Sequence, residues 1–281
     1  LAFYIGFGIL AAIWPFHTWS PDGHASAPTA VSMLHAGVLM KLGAYGVVRL
    51  GMGLLPDASV EWAWLVGAIA CINIVYGALS ALAQTDLKYV IAYSSVSHMG
   101  VVMLGAATLT QHGLNGSVFQ MFAHGIMTGL FFALVGLVYE KSHSREIFKM
   151  GGFAKTMPGI ATAFTIGGLS SLGLPATAGF VAEFLTFLGA WGSAHPWWLF
   201  PGVLGAFLTS IYVLRVVRTI FYGKKSDDPH FQNLPDAQGT EWVAIVFLVC
   251  ILVLFGVVPN LMVGPIDTTT MPLLVKMGVL R

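Results

Sequence analysis

Charged side chains are scarce in this chain: Asp, Glu, Lys and Arg together make up 9% of its 281 residues, whereas 57% are hydrophobic. Soluble domains carry about a quarter charged residues, so this composition excludes a water-facing globular surface. The formal net charge is only +1 and no basic stripe is present, which excludes a nucleic-acid-binding protein. The mean hydropathy of +0.81 predicts a polytopic membrane protein embedded in the lipid bilayer.

Cysteine is also rare, and the usual motifs of metal and cofactor sites are missing from the sequence. Cys71 and Cys250 both lie inside apolar stretches, so we expect small buried side chains rather than a disulfide or a metal pair. The histidines show no His-x-x-His spacing, and there is no phosphate-binding loop, Gly-x-Gly-x-x-Gly or nucleophile motif. We therefore expect no metal and no redox cofactor in this chain.

Apolar stretches of about 20 residues, the length that spans a bilayer, recur along the chain. The first begins at Leu1 with no initiator Met and no signal-peptide pattern, so we expect the C-terminal part of a longer protein. The expected fold class is an all-α transmembrane helix bundle with broken helices. The expected helices are a truncated Leu1 to Trp14, then Pro28 to Leu50, Trp62 to Ala83, Lys88 to Ala107, Leu114 to Tyr139, Pro158 to Ala190, Trp198 to Tyr222 and Glu241 to Val258, followed by an apolar tail, Leu261 to Leu280, that lies at the interface or docks on the bundle.

Polar loops divide the chain and indicate its orientation. Residues 1–222 form one transmembrane module, residues 223–240 a loop, and residues 241–281 a last transmembrane helix and tail. If the helices alternate in direction, one side of the membrane receives Lys88, Lys141, Arg145, Lys149, Lys155, Arg218, Lys224 and Lys225, and the other receives Arg49, Lys276 and Arg281. The positive-inside rule then predicts that the long basic loops, including residues 223–240, are cytoplasmic and that the C-terminus lies outside.

The stretch from Pro158 to Ala190 is too long for one straight span, and a Gly/Pro cluster interrupts it. The cluster, Leu172-Gly-Leu-Pro-Ala-Thr-Ala-Gly179, cannot continue a regular helix. A broken helix frees backbone carbonyls and amides, and transporter ion sites often contain one. We expect a functional break because Glu183 lies close by; the alternative is a proline kink that only improves packing. A second irregular segment, Trp14 to Pro28, is predicted to be a turn-rich connection or a half-helix.

Two ionisable residues, Lys41 and Glu183, lie near the middle of apolar stretches. A charge at bilayer depth is costly and rarely persists without a partner or a water-filled path, so we expect both groups to move protons or ions. The alternatives are a static ion pair of Lys41 that locks two helices, and a Glu183 that caps the second half of the broken helix. His35, six residues before Lys41, is expected to serve packing on the other side of its helix.

His98 and His124 fall near the centres of their predicted spans. Histidine titrates close to neutral pH and relays protons through either ring nitrogen. Three nearby serine hydroxyls, at positions 94, 95 and 97, are expected to hold waters around His98. Both histidines are therefore candidates for a proton path. The alternative is that each ring only hydrogen-bonds the backbone of a neighbouring helix.

Several dense motifs occur in one order and cover most of residues 1–225. They read Trp14-Pro-Phe-His-Thr-Trp-Ser-Pro-Asp-Gly-His24, Ala27-Pro-Thr-Ala30, Leu39-Met-Lys-Leu-Gly-Ala-Tyr-Gly46, Ala83-Gln-Thr-Asp-Leu-Lys88, Ile91-Ala-Tyr-Ser-Ser-Val-Ser-His-Met-Gly100 and Phe180-Val-Ala-Glu-Phe184. In these motifs the chain resembles the antiporter-like membrane subunits of respiratory complex I and their Mrp-antiporter relatives. Glu183, where several sister subunits carry a lysine, resembles the NuoM type.

This resemblance implies a fold of fourteen transmembrane helices with two inverted five-helix repeats, of which this chain would supply about eight helices and the last half-channel. It implies proton translocation by residues 1–222, in the inner (plasma) membrane and beside other antiporter-like subunits of complex I. NADH, FMN, Fe–S clusters and quinone would lie in partner subunits, with no redox chemistry in this chain. By position, Lys41 matches the family's central lysine and Glu183 its terminal glutamate, with His98 and His124 between them.

The chain departs from the family's pattern at three positions. Leu10 stands where the family usually has a lysine, and Ser20 and Gly23 stand where Leu and Ala are typical. Loss of that lysine removes the usual partner of a glutamate on the fifth helix but leaves the half from Lys41 to Glu183 intact. The alternatives to a complex I subunit are an Mrp-type sodium/proton antiporter subunit, a membrane-bound hydrogenase subunit, and a membrane scaffold that no longer pumps.

Overall fold

The computed structural model describes residues 1–226 and 228–280, and across them it is an all-helical bundle, as the sequence predicts. Six helices in this part of the chain are long and apolar enough to cross a membrane. Two further helices of 14 residues each meet at the Gly/Pro cluster and make one interrupted crossing. In chain order the helices are α1 (Ala2–Leu10), α2 (Trp19–Ser26), α3 (Thr29–Met52), α4 (Pro56–Ala83), α5 (Leu87–Ala107), α6 (Gln111–Ser142), α7 (Pro158–Ser171), α8 (Ala178–Trp191), α9 (Pro196–Tyr222), α10 (Thr240–Val257) and α11 (Asn260–Lys276).

Two helix boundaries differ by more than three residues from the sequence-based expectation. Helix α1 ends at Leu10 rather than Trp14, because Ala12 has a φ of 57° and Pro15 follows shortly after it. Helix α4 begins at Pro56 rather than Trp62, since proline is well accommodated in the first turn of a helix. The full-length crossings therefore number six among the described residues. The short α1 and the interrupted α7–α8 account for the rest of the expected eight.

Burial differs sharply between the helices. The most apolar window of α5 is 94% buried inside the bundle, whereas that of α10 is only 11% buried. Cys71 on α4 is buried as expected, but Cys250 is exposed. The prediction for Cys250 is wrong because α10 turns most of its surface outward and buries only Ile245 and Leu252. Helix α5 is thus the centre of the bundle, where polar side chains are screened from lipid by protein on all sides.

Glycines allow three helices to touch backbone to backbone around this centre. A methyl group added at Gly125 of α6 would lie 2.8 Å from the carbonyl oxygen of Gly37 on α3. One added at Gly189 of α8 would lie 2.3 Å from the Cα atom of Gly113 on α6. Such close approach of small residues is the usual way to pack helices tightly in a membrane. Helix α6 is therefore held firmly against both α3 and α8.

The basic residues separate to the two ends of the bundle. At one end, Lys141 pairs with Glu241 at 3.3 Å and Arg145 pairs with Asp86 at 3.3 Å. At the other end, the Lys276 amine donates to the carbonyl of Gly53 at 2.5 Å. Arg281, which the sequence assigns to this second end, lies outside the described residues. The side of the membrane that each end occupies stays a prediction.

The apolar tail docks on the bundle as helix α11 rather than lying apart at the interface. Gln111 and Asn115 of α6 donate to the Asp267 carboxylate at 3.0 and 2.5 Å. The Thr270 hydroxyl donates to the Asn115 side-chain oxygen at 2.6 Å. Leu274 is fully buried beneath the same contact. A polar clamp at the start of α6 thus holds the C-terminal helix in place.

We expect Asp267→Ala to loosen this clamp. The substitution removes the acceptor of two hydrogen bonds and leaves two partly buried amides unpaired, which costs about 1–3 kcal/mol. Thermal unfolding in detergent should show a lower midpoint than for the native chain, and Thr268→Ala, an exposed neighbour that bonds only within its own turn, should not. Equal midpoints for the two variants would contradict the clamp.

Candidate functional site

Lys41 lies inside the bundle, 8% exposed, in the middle of α3. Two π-helical turns, His35–Leu39 and Val47–Met52, flank it. Such turns widen a helix locally and recur at functional sites. The amine of Lys41 donates to the carbonyl of Ala36. No carboxylate among residues 1–226 and 228–280 forms an ion pair with it, so the alternative of a static ion pair finds no support within these residues.

Helix α6 brings His124 next to the Lys41 side chain. Gly125 packs on α3 so closely that a methyl group there would lie 4.0 Å from Cε of Lys41. His124, the preceding residue, is 1% exposed, and neither of its ring nitrogens has a hydrogen-bond partner in the described part of the chain. Buried imidazole nitrogens are normally hydrogen-bonded, which favours water as the partner here.

His98 on α5 is the point where four helices meet. Its ring centroid lies 5.2 Å from that of His124 on α6. Its Nδ1 atom lies 3.4 Å from Oε1 of Glu183 on α8 and 3.3 Å from Nε2 of Gln120 on α6. Its Nε2 atom lies 3.1 Å from the hydroxyl of Ser171 at the end of α7. Neither histidine bonds a backbone group of the residues that the structure describes, which speaks against the backbone-anchor alternative for both.

Glu183 reaches His98 because the helix that carries it is broken. Helix α7 ends at Ser171 and α8 begins at Ala178, and Gly173 between them has a φ of +73°, which favours glycine. A methyl group at Gly173 would lie 2.9 Å from Oε2 of Glu183. The carboxylate is 6% exposed and lies in the second turn of α8, where it caps no helix end. The alternative of a capping glutamate is therefore wrong.

Two buried hydroxyls next to Ser94, those of Tyr212 and Thr209, were not predicted from the sequence. The fully buried Tyr212 hydroxyl of α9 donates to the Ser94 hydroxyl at 2.9 Å and also lies 3.3 Å from that of Thr209. The hydroxyls of Ser95 and Ser97 bond backbone carbonyls of Ile91 and Ile74 instead of facing His98, so that expectation is wrong. Polar residues inside apolar spans were visible in the sequence, but their depth and direction were not.

The four candidate residues form one buried polar line. Lys41, His124, His98 and Glu183 come from α3, α6, α5 and α8, and all four are less than a tenth exposed. Gln120 and Ser171 both contact the His98 ring, so polar side chains surround the part of the line next to Glu183. Ionisable residues inside a membrane bundle, beside broken or π-distorted helices, mark ion and proton pathways.

This fold and this line define the class of antiporter-like membrane proteins. A family described as NADH:quinone oxidoreductase/Mrp antiporter, transmembrane, matches residues 1–209. The chain belongs to this family.

Individual relatives agree with the family assignment. NADH-quinone oxidoreductase subunit M of Rickettsia prowazekii (strain Madrid E) is 41% identical over 277 residues, covering 98% of this chain and 56% of that protein. A chain of respiratory complex I from Thermus thermophilus superposes with a TM-score of 0.89 at 31% identity, covering 97% of this chain and 58% of that one. A chain of the Mrp complex from Dietzia sp. DQ12-45-1b has a TM-score of 0.88 at 20% identity, covering 98% of this chain and 60% of that one, and shows the fold alone. The chain spans about half the length of the curated relatives it matches.

We expect Gly173→Ala to destabilise the break beside Glu183. An alanine at this left-handed position costs about 1–2 kcal/mol, and its methyl group would press on the carboxylate. The thermal midpoint in detergent should fall. Gly129→Ala is the matched control, because a methyl group there meets no atom within 4 Å and lies inside a helix, so its midpoint should stay level or rise. A Gly173→Ala midpoint equal to that of the control would contradict the constraint.

Proposed function

We propose that this chain is the proton-translocating subunit, of the NuoM type, of an NADH:quinone oxidoreductase. The observation that carries the proposal is the buried line of Lys41, His124, His98 and Glu183 across four helices. The 41% identity to NADH-quinone oxidoreductase subunit M supports the same assignment. Protons pass between the four groups along enclosed waters, with Glu183 near the exit.

His98 is suited to pass a proton because each of its protonation states has a partner. In the neutral ring with the proton on Nε2, Ser171 accepts from Nε2 and Gln120 donates to Nδ1. In the charged ring, Nδ1 carries a proton and donates to the Glu183 carboxylate. Transfer of that proton leaves a neutral imidazole and a neutral carboxylic acid. The neutral His98 ring can then take up another proton from the side of His124.

Lys41 is the group that takes up the proton at the start of the line. Its amine is held by a backbone carbonyl rather than by a carboxylate, so its charge interacts directly with neighbouring groups. In a medium of low dielectric constant, a charge that appears on one station changes the proton affinity of the next. Movement of charge elsewhere in the assembly can therefore drive protons from Lys41 towards Glu183.

The remaining parts of the activity belong to partner subunits. NADH oxidation, FMN, the Fe–S clusters and quinone reduction lie there, and other antiporter-like subunits flank this chain in the membrane. The chain itself contributes residues 1–222 as the translocating module. The end that carries Lys141 and Arg145, with the loop of residues 223–240, faces the cytoplasm across the inner (plasma) membrane.

A proton suits the site better than a sodium ion. A sodium site needs several oxygen ligands around the carboxylate. In the described part of the chain the ionisable side chain paired with Glu183 is His98, through a ring nitrogen at 3.4 Å. This observation favours the complex I subunit over an Mrp-type sodium/proton antiporter subunit.

We expect Lys41→Ala and Glu183→Gln to abolish most proton pumping. Removal of a group that gives or accepts the transferred proton slows such a step by roughly 10²–10⁴-fold, so the acidification rate should fall at least about tenfold. The measurement is NADH-driven acidification of inverted membrane vesicles that carry the assembled complex. Lys149→Ala, at an exposed loop residue, is the control and should pump normally.

The alternatives make different predictions in the same vesicles. A scaffold that no longer pumps predicts unchanged coupled transport in Lys41→Ala. A sodium/proton antiporter predicts that replacing Na⁺ by K⁺ slows transport, whereas the proposed function predicts no change. Either result would overturn the proposal.

A further inference from the structure

A second pair of buried histidines, His24 and His35, precedes Lys41 in the sequence, whereas His124 follows it. His24 of α2 is fully buried and His35 of α3 is 9% exposed. Their rings are stacked, with centroids 4.0 Å apart and planes 23° from parallel. Trp19 continues the stack beyond His35 at 5.0 Å, and Phe132 continues it beyond His24 at 4.9 Å. Packing was the role expected for His35, and its ring does pack, but its stacking on His24 was not predicted from the sequence.

The ring nitrogens of the pair are not satisfied by protein groups. Both nitrogens of His24 and the Nε2 atom of His35 lack a hydrogen-bond partner among the residues that the structure describes. Leaving such groups bare would be costly, and buried polar groups in proteins are paired with protein or with water. Three unpaired nitrogens at one place therefore favour enclosed water between the rings and their surroundings.

The pair lies between Lys41 and a cleft at the basic end of the bundle. Phe132 stacks on His24 and also lines that cleft, together with Lys88 and Arg145. Lys88 donates to the carbonyl of Ala27 at 2.5 Å, and Arg145 donates to that of Ala25 at 3.1 Å. These bonds fix the end of α2 directly after His24. On the inner side, Lys41 follows His35 on the same helix, after the π-helical turn His35–Leu39.

The backbone of α2 is shaped to admit the second ring. A methyl group at Gly23 would lie 3.1 Å from Cε1 of His35, which is tighter than an ordinary contact. The neighbouring Ser20 is fully buried and bonds the sulfur of Met40, one residue before Lys41. The two small residues that depart from the family's motif therefore both line the contact between α2 and α3, where the histidine pair lies.

We propose that His24 and His35 form a proton-uptake relay that loads Lys41 from the basic end of the bundle. The relay rests on the proposed function, because it supplies the line that starts at Lys41. A hydronium ion in the cleft gives a proton to His24 and becomes water. The proton moves through enclosed water to His35 and then to the neutral amine of Lys41, which leaves both rings neutral and the amine as ammonium. Two imidazolium rings 4.0 Å apart would repel each other, so the pair carries one proton at a time.

The experiment uses His24→Phe, His35→Phe and the double variant in the assembled complex. Phenylalanine keeps an aromatic ring in the stack and removes the titratable nitrogens. Without the relay, Lys41 must be loaded directly by hydronium, whose concentration falls about tenfold per pH unit. We expect NADH-driven acidification of inverted vesicles to match the native rate near pH 6 and to fall about tenfold for each unit above it. The double variant should be no slower than either single variant, because the two steps are in series.

Controls separate the relay from a structural effect. Trp19→Phe changes the same stack without removing a titratable ring and should keep the native pH profile. If the phenylalanine variants do not assemble on native gels, His24→Gln and His35→Gln take their place, with the same expected profile. A loss that is equal at every pH, or native pumping at pH 8, would overturn the relay. If the histidine variants pump normally at pH 8 and Lys41→Ala does not pump, the relay is wrong and the proposed function stands. If Lys41→Ala also pumps normally, the proposed function itself is wrong.

Discussion

The contact between His98 and Glu183 is the interaction on which the rest of the structure depends. It joins the most buried helix of the bundle to the second half of the broken crossing, and Gln120 and Ser171 complete it from two further helices. An ionised carboxylate inside hydrocarbon is tolerated only when protein surrounds it and partners are at hand. The surrounding helices are arranged to meet that condition, which explains why α5 is enclosed while α10 remains open to lipid.

Irregular backbone occurs at both ends of the buried line. At one end, π-helical turns on either side of Lys41 widen α3 locally. At the other end, the Leu172–Thr177 break places Gly173 against the Glu183 carboxylate. Each departure would be unfavourable against lipid, because unpaired carbonyls and amides have no water there. Neighbouring groups cover part of the break, because Gly173 lies against the Glu183 carboxylate and Gly256 of α10 packs on Ala176, while Leu174 is 41% exposed. The regular helices between them hold the histidines at fixed separations.

The sequence predicts the ends of the line better than its middle or its surroundings. Lys41 and Glu183 stand out because charge is rare and apolar runs are long, and the Gly/Pro cluster predicts the break. The pair of His24 and His35 is not predictable in this way, because its members come from different helices joined by the turn at Pro28. Tyr212 and Gln120 look like ordinary members of apolar spans, since periodicity does not give depth or the direction of a side chain. Cys250 was predicted to be buried and is exposed, because an apolar stretch does not show whether a residue faces lipid or the core.

The glycine contacts of α6 with α3 and α8 have a mechanical consequence. Gly125 against Gly37, and Gly189 against Gly113, leave no room for these helices to slide or tilt past one another. These three helices therefore form a stiff frame around the buried line, inside which side-chain torsions remain free to change. Such rearrangements take picoseconds to microseconds, whereas collective helix motions take roughly microseconds to milliseconds. In the proposed mechanism, proton transfer through this frame therefore depends on rotation of side chains rather than on movement of these helices.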